Sequence, residues 1–231
     1  MVDYESCFRT VQSVVESALS QVANHQVRVF CSGRTDSGVH AVEQVIHFET
    51  NTIRTERAWL FGGNVNLPKD VNFKWVKVVS DDFHARFSAV ARSYKYKIHH
   101  NPVRSSLKAD YFLWEPRPLN VDDMKEAAAL LVGEHDFSCF RGSLCQAKSP
   151  IKTIEYIEID SFEDELILNI KANAFLHHMV RNIVGTLLKI GRGEKDVEWM
   201  SFVLASKDRK KAGPTAEPQG LYFIQAFYEE I

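Results

Sequence analysis

The residues best able to do chemistry in this chain lie in one short turn, Gly33-Arg34-Thr35-Asp36-Ser37-Gly38-Val39-His40. It holds a single carboxylate two residues after an arginine. Glycines on both sides let the backbone turn sharply and let a ligand come close. Spacing sets several chemistries aside. The turn is not a Walker A loop, since no Gly-Lys-Ser/Thr follows. Ser37, His40 and Asp36 do not suit a nucleophilic triad, whose members come from separate elements. From local chemistry alone an exposed Arg–Asp pair is the simpler reading and a reactive carboxylate the sharper one.

Two further residues bear on that choice. Met179, Val180, Ile183, Val184, Leu187 and Leu188 recur at helical spacing. At about 100° per residue, Arg181 falls at the border of that stripe, beside His177 and Leu188. A guanidinium there is partly desolvated and calls for a carboxylate partner, because an unpaired buried charge is costly. A snorkelling arginine at a helix edge is the alternative. Tyr94 alternates with lysines along an apolar strand face. Such a tyrosine is ordinarily core, and only a neighbouring cleft would make it catalytic.

The elements that must position these groups can be read from periodicity. Thr10 is placed to cap an amphipathic helix running to about Ala23, and a strand over 27–31 leads into the turn. Further strands are expected over 44–48 and 71–79, with a helix around 56–61 between them. The pattern restarts near Asp81. Tyr94, Tyr96 and Ile98 mark a strand with one buried face, and Asn120 caps a helix to about Leu131 that stops at Gly133. Residues 151–159 and 166–172 form a hairpin turning near Glu163. A helix ends at Gly191, and a last strand spans 221–227. The expected class is α+β, with helices on mostly antiparallel sheets, in two halves. Residues 1–82 would carry the Asp36 turn and residues 83–231 the rest.

Composition narrows the partners. A formal net charge of −2 argues against a uniformly basic nucleic-acid binder. The charge is nevertheless uneven. Arg86, Arg92, Lys95, Lys97, Arg104 and Lys108 form one basic run, and Lys207, Arg209, Lys210 and Lys211 another. Such runs are more often solvated faces than binding sites, so they permit an RNA partner without requiring one. No apolar run approaches the roughly 20 residues that span a bilayer. The first residues lack the basic and apolar regions of a signal peptide, so a cytoplasmic protein with no membrane partner is expected. Cys7, Cys31, Cys139 and Cys145 contain no CxxC pair, so reduced thiols are the default and a zinc site at Cys139 and Cys145 is disfavoured. A zinc deaminase needs H-x-E with a later P-C-x-x-C, and neither is present.

Five stretches together resemble the A-type tRNA pseudouridine synthases: GRTDSGVHA (33–41), DDFHARFSAVARSYKY (81–96), GEHDFSCFR (133–141), KANAFLHHMVRNIVG (171–185) and GLYF (220–223). They span nearly the whole chain in that family's order. The resemblance implies a pseudouridine synthase fold of two ferredoxin-like α/β-sandwich halves around a central basic cleft. It implies isomerisation of uridine at positions 38, 39 and 40 of the tRNA anticodon stem-loop, with no cofactor and no metal. It further implies a homodimer with tRNA bridging the subunits.

Residue by residue, the resemblance makes Asp36 the catalytic carboxylate, Tyr94 the tyrosine lying against the target uracil, and Arg181 the arginine that pairs with the aspartate. Arg34 would help hold the flipped-out nucleotide. Arg86, Arg92 and Lys95 are candidates for contacts to the RNA backbone. One departure is visible. The family opens with a strand reading like YDGTxFxGWQ ahead of the first helix, and here MVDYESCF stands in that place. An exposed sheet edge in the first half is therefore expected, and a non-catalytic tRNA-binding or folding factor on the same scaffold is the competing reading.

Overall fold

A computed structural model describes residues 9–229. By contacts the chain divides into two compact units. One comprises the described residues up to Gly33 together with Val45–Ser88, and the other Arg34–Gln44 together with the chain from Ala89 onward. The sequence-based division at 82/83 groups the Asp36 turn with the first half, whereas by contacts that turn belongs to the second unit. The expectation about an opening strand concerns residues 1–8, which lie outside the described residues.

The first unit is built on two helices. Helix α1 (Val11–Ala23) starts at a capping box in which Thr10 and Ser13 satisfy each other's amides, and ends at Asn24 in the left-handed conformation. Its buried Val15, Leu19 and Ala23 cluster with Val27, Val29 and Trp59. Strand β1 (Phe30–Cys31) precedes the short strand β2 (His40–Ala41), which belongs to the other unit, and then β3 (Ile46–His47) returns antiparallel to β1. Helix α2 (Glu56–Asn66) is capped by Thr55 and buries Trp59.

Three expected strands are much shorter here or missing. Only Phe30–Cys31 of 27–31 and Ile46–His47 of 44–48 pair, and residues 71–79 form no strand. In 27–31 and 71–79 side chains take the ladder's place. The amides of Val27 and Val29 donate to Ser20 Oγ and Glu16 Oε1 of α1. Phe73 exchanges bonds with Asn64, and the Val78 amide donates to Glu56, both on α2. Once a backbone group is satisfied this way, no neighbouring strand is required.

The second unit has a seven-stranded sheet in the order β2-β9-β4-β8-β7-β6, with a further strand on β4. Its members are β4 (Ala91–His100), β5 (Leu113–Glu115), β6 (Gly133–Asp136), β7 (Ile151–Phe162), β8 (Glu165–Ala172) and β9 (Leu221–Phe227). β5 joins β4 in parallel at Ile98–His100, beyond the stretch that β9 covers. β2 joins β9 in parallel, and the remaining pairs are antiparallel. The β7–β8 hairpin turns at Glu163, whose φ is 50°. Helices α3 (Val121–Ala129), α4 (Met179–Gly191) and α5 (Glu198–Ser206) complete the unit. Tyr96, Ile98, Ile157, Leu168 and Ile170 of the sheet share one core with Met124, Ala127, Ile183, Leu187 and Met200 of the helices. α4 is buried on nearly all sides, including the polar Asn182 and Thr186. No helix among the described residues is long and apolar enough to cross a membrane.

Candidate active site

The Asp36 turn is fixed at its C-terminal end. His40 and Ala41 pair with Tyr222 and Phe223, and the Val42 amide donates to the Phe223 carbonyl at 2.8 Å. The His40 ring stacks on Tyr222 with centroids 4.6 Å apart, and its Nε2 lies 2.9 Å from the Asp110 carbonyl. Within the turn the Val39 amide donates to the Asp36 carbonyl, and Gly38 has φ +81°, a region that strains any side chain. A Cβ on Gly38 would also come within 3.1 Å of Pro218.

The turn presents the carboxylate to the start of α4. Arg181 Nη1 donates to Asp36 Oδ2 at 2.8 Å. His178 Nε2 lies 3.1 Å from the same oxygen, and His177 Nε2 lies 3.3 Å from Oδ1. The Asp36 side chain keeps about a third of its surface exposed, whereas Arg181 keeps 13%. The acid is thus reachable and its cation nearly buried, which makes the pair stronger than a free surface contact. The desolvated guanidinium at the helix edge has the carboxylate that its position demands.

Each neighbour is held in turn. The Arg181 Nε donates to the Ala216 carbonyl at 2.7 Å. The His177 carbonyl accepts from the Gly142 amide, and its own amide donates to Cys145 Sγ. His178 caps α4 in the left-handed conformation, with φ 61°, which stacks its ring on that of His177 at 3.8 Å. Burial lowers the affinity of His178 for a proton. Asp36 pulls the other way, and His177 and Arg181 push it further down. The net effect lowers the His178 pKa from its ordinary value, so the ring beside Asp36 holds a proton less readily than a free imidazole. Near this segment Cys145 is kept below the usual thiol value. Burial opposes that, but the amides of His177 and Ala147 and the Arg141 guanidinium prevail.

Asp36, His177 and His178 each offer one ligand atom within 4.8 Å of the others, a spacing that a metal ion can use. The Arg181 guanidinium sits on Asp36 Oδ2 and puts a fixed positive charge at that position, which opposes a cation there.

Tyr94 follows a register shift between Ser93 and Tyr94 in the β4–β9 pairing. Its ring meets Phe175 edge-on at 4.9 Å and Phe223 at 5.2 Å. Phe175 is two residues before His177 and Phe223 is the register partner of Ala41, so Tyr94 stands among the segments that build the Asp36 environment. The predicted RNA-contact residues are more dispersed. Arg34 is exposed in the turn. Arg92 Nη1 donates to the carbonyls of Ala89 and Asn173, and Lys95 lies half-buried on β4, opposite Asn169 and Tyr222. Arg86 is exposed in the first unit, with its guanidinium 5.7 Å from the Phe87 ring.

Residues 4–88 and 127–229 match the family model described as tRNA pseudouridine synthase. The chain belongs to that family. It is similar to proteins called tRNA pseudouridine synthase A from several organisms. It is 49% identical over 221 residues to that of Actinobacillus succinogenes, covering 96% of this chain and 84% of the relative. It is 50% identical to that of Methylococcus capsulatus over 222 residues, covering 96% and 82%. Identity to that of Alcanivorax borkumensis is 49% over 227 residues, covering 98% and 85%. The tRNA pseudouridine synthases are isomerases, so the family assignment makes this chain an enzyme.

Sequence reasoning within this synthase missed three features. His177 and His178 were legible only as two histidines directly preceding the helix that carries Arg181, with no spacing rule to tie them to Asp36. The segment that holds Arg181 Nε, residues 212–217, gave no periodic signal at all.

Proposed function

We propose that this chain isomerises uridine to pseudouridine at positions 38, 39 and 40 of the tRNA anticodon stem-loop, with Asp36 as the acting carboxylate. The observation that carries this reading is the 2.8 Å contact between Asp36 and the nearly buried Arg181, in a chain of this family. The reaction breaks the N1–C1′ bond of the nucleotide and forms a C1′–C5 bond. C5 loses a proton and N1 gains one. No group leaves and no electrons are exchanged, so acid–base and nucleophilic groups suffice.

Asp36 has one oxygen better placed than the other to react. Oδ2 is engaged at 2.8 and 3.1 Å by Arg181 and His178, while Oδ1 has a single contact at 3.3 Å with His177. Oδ1 is then the oxygen that attacks C1′ or removes a proton from C2′. Arg181 orients the carboxylate and keeps its charge on the side away from the substrate. Tyr94 lies against the uracil and supports loss of the C5 proton, or holds the base by stacking. The target base must leave its stack, at roughly a few kcal/mol. Arg34 helps to hold the flipped nucleotide, with Arg86, Arg92 and Lys95 contributing phosphate contacts. The same reading includes two halves flanking a basic cleft, a homodimer bridged by tRNA, and a cytoplasmic setting.

The test is tritium release from tRNA labelled at C5 of uridine. The wild type should release label, and Asp36→Asn should slow release by at least about a thousandfold while still binding tRNA. Equal release from both proteins, or none from either despite binding, would instead favour a non-catalytic tRNA-binding factor.

A further inference from the structure

The guanidinium facing Asp36 is aimed by a strap of chain that has no regular structure of its own. Arg181 donates through Nε to the Ala216 carbonyl at 2.7 Å, and its own carbonyl accepts from the Ala216 amide at 3.1 Å. This two-point contact fixes the plane in which Nη1 reaches the carboxylate. An arginine has several rotamers open to it, so whatever fixes Ala216 also fixes the angle of the charge.

Ala216 is fixed by a polar network that touches neither Asp36 nor its histidines. Asn182 lies fully buried on α4, and its Oδ1 accepts from Arg209 Nη2 at 2.9 Å and from Thr215 Oγ1 at 2.7 Å. Arg209 Nη2 also donates to Thr215 Oγ1 at 3.0 Å, and Nη1 donates to the Gly213 carbonyl at 2.8 Å. The Gly213 amide donates to Thr186 Oγ1, and Asn182 Nδ2 donates to the Phe140 carbonyl. Past Ala216, the Tyr96 hydroxyl donates to the Glu217 carbonyl at 2.6 Å. The strap is thus gripped at residues 213, 215, 216 and 217. A polar network anchored on the buried Asn182, with its partners in place, specifies a single geometry.

We infer that Arg209, Thr215 and Asn182 are positioning residues for the isomerisation, acting through the Ala216 carbonyl on Arg181. The inference rests on the proposed role of Asp36. The chemistry at Thr215 is specific: its hydroxyl both accepts from Arg209 and donates to Asn182, and a methyl group in its place can do neither. Thr215 is exposed at the surface, so Thr215→Val removes the hydroxyl without opening a core cavity.

The experiment compares wild type, Asp36→Asn, Thr215→Val, Thr215→Ser and Arg209→Lys. Each is followed by single-turnover tritium release, tRNA affinity, melting temperature and exchange of the Arg181 Nε–H by NMR. Thr215→Val and Arg209→Lys should lower the single-turnover rate roughly ten- to a hundredfold. Affinity and melting should stay near wild type, and the Nε–H should exchange faster. Thr215→Ser should keep the wild-type rate. A Thr215→Val rate within about twofold of wild type would overturn the inference. So would a loss of rate that follows a lowered melting temperature, or one that Thr215→Ser shares. If wild type releases label and Asp36→Asn does not, the functional reading stands whatever the Thr215 arm gives. A wild type that releases none overturns both.

Discussion

The two sides of the Asp36 contact are built in opposite ways. On one side is an exposed turn, tied to the sheet by two residues of parallel pairing and shaped by a glycine at positive φ. On the other is α4, the most enclosed helix of the second unit, with its polar side chains satisfied internally. In the proposed reaction the acid has to meet a substrate, and it stands partly exposed. Its cation has to hold one direction, and it is nearly buried. Rigidity on the guanidinium side lets the carboxylate side remain accessible, a division expected wherever a reactive group needs both reach and aim.

The sharpest way to break this contrast is from the buried side. A Cβ on Gly185 would stand 1.7 Å from the Pro214 carbonyl, so Gly185→Ala forces α4 and the strap apart. We expect a loss of about 3 kcal/mol in urea unfolding, with activity lost in the same variant. Gly38→Ala probes the exposed side. It strains one residue at φ +81° and presses on Pro218, so stability should fall by only about 1 kcal/mol. Its turnover should fall more than its stability, because the turn carries Asp36. If Gly38→Ala unfolds the protein as readily as Gly185→Ala, the two sides are not built differently.

The smallest effect is set by pH. Burial keeps His178 below the ordinary histidine value of 6.5, with His177 and Arg181 adding to the shift and Asp36 opposing it. Below that value the unfolded chain binds the proton more readily than the folded one, so stability is full above about pH 6.5 and declines as the pH falls. His47, lowered by burial and by His84, contributes in the same direction from the first unit. His178→Asn tolerates the left-handed cap and removes the titrating ring. Its melting temperature should fall less than that of wild type between pH 7 and pH 5.5, and an unchanged slope would remove His178 from the account.

Much of the scaffold was legible because it obeys simple periodicity. The last strand begins and ends where its apolar pattern does, at Leu221 and Phe227, and Asn120 caps α3 as its side chain allows. The stretches 27–31 and 71–79 misled because an apolar run says nothing about where its amides go. Here Glu16, Ser20, Asn64 and Glu56 accept them. At the site, Arg181 was legible from the physics of a guanidinium at an apolar border. Tyr94 reads as core from its strand face, and its proposed place against the base comes from family resemblance alone. The basic run at Lys207–Lys211 read as a solvated face, yet Arg209 is half-buried and tied to Asn182. A charge pattern alone cannot separate an arginine that faces water from one that organises a strap.

The membership of residues 34–44 in the second unit has a consequence for the connectivity of the gene product. The polypeptide passes from one unit to the other at 33/34, returns at 44/45, and passes again at 88/89. A single cut at 88/89 leaves the carboxylate on the leading fragment and its guanidinium on the trailing one. Neither fragment then holds both halves of the ion pair, and turnover in a mixture of the two would report their reassembly.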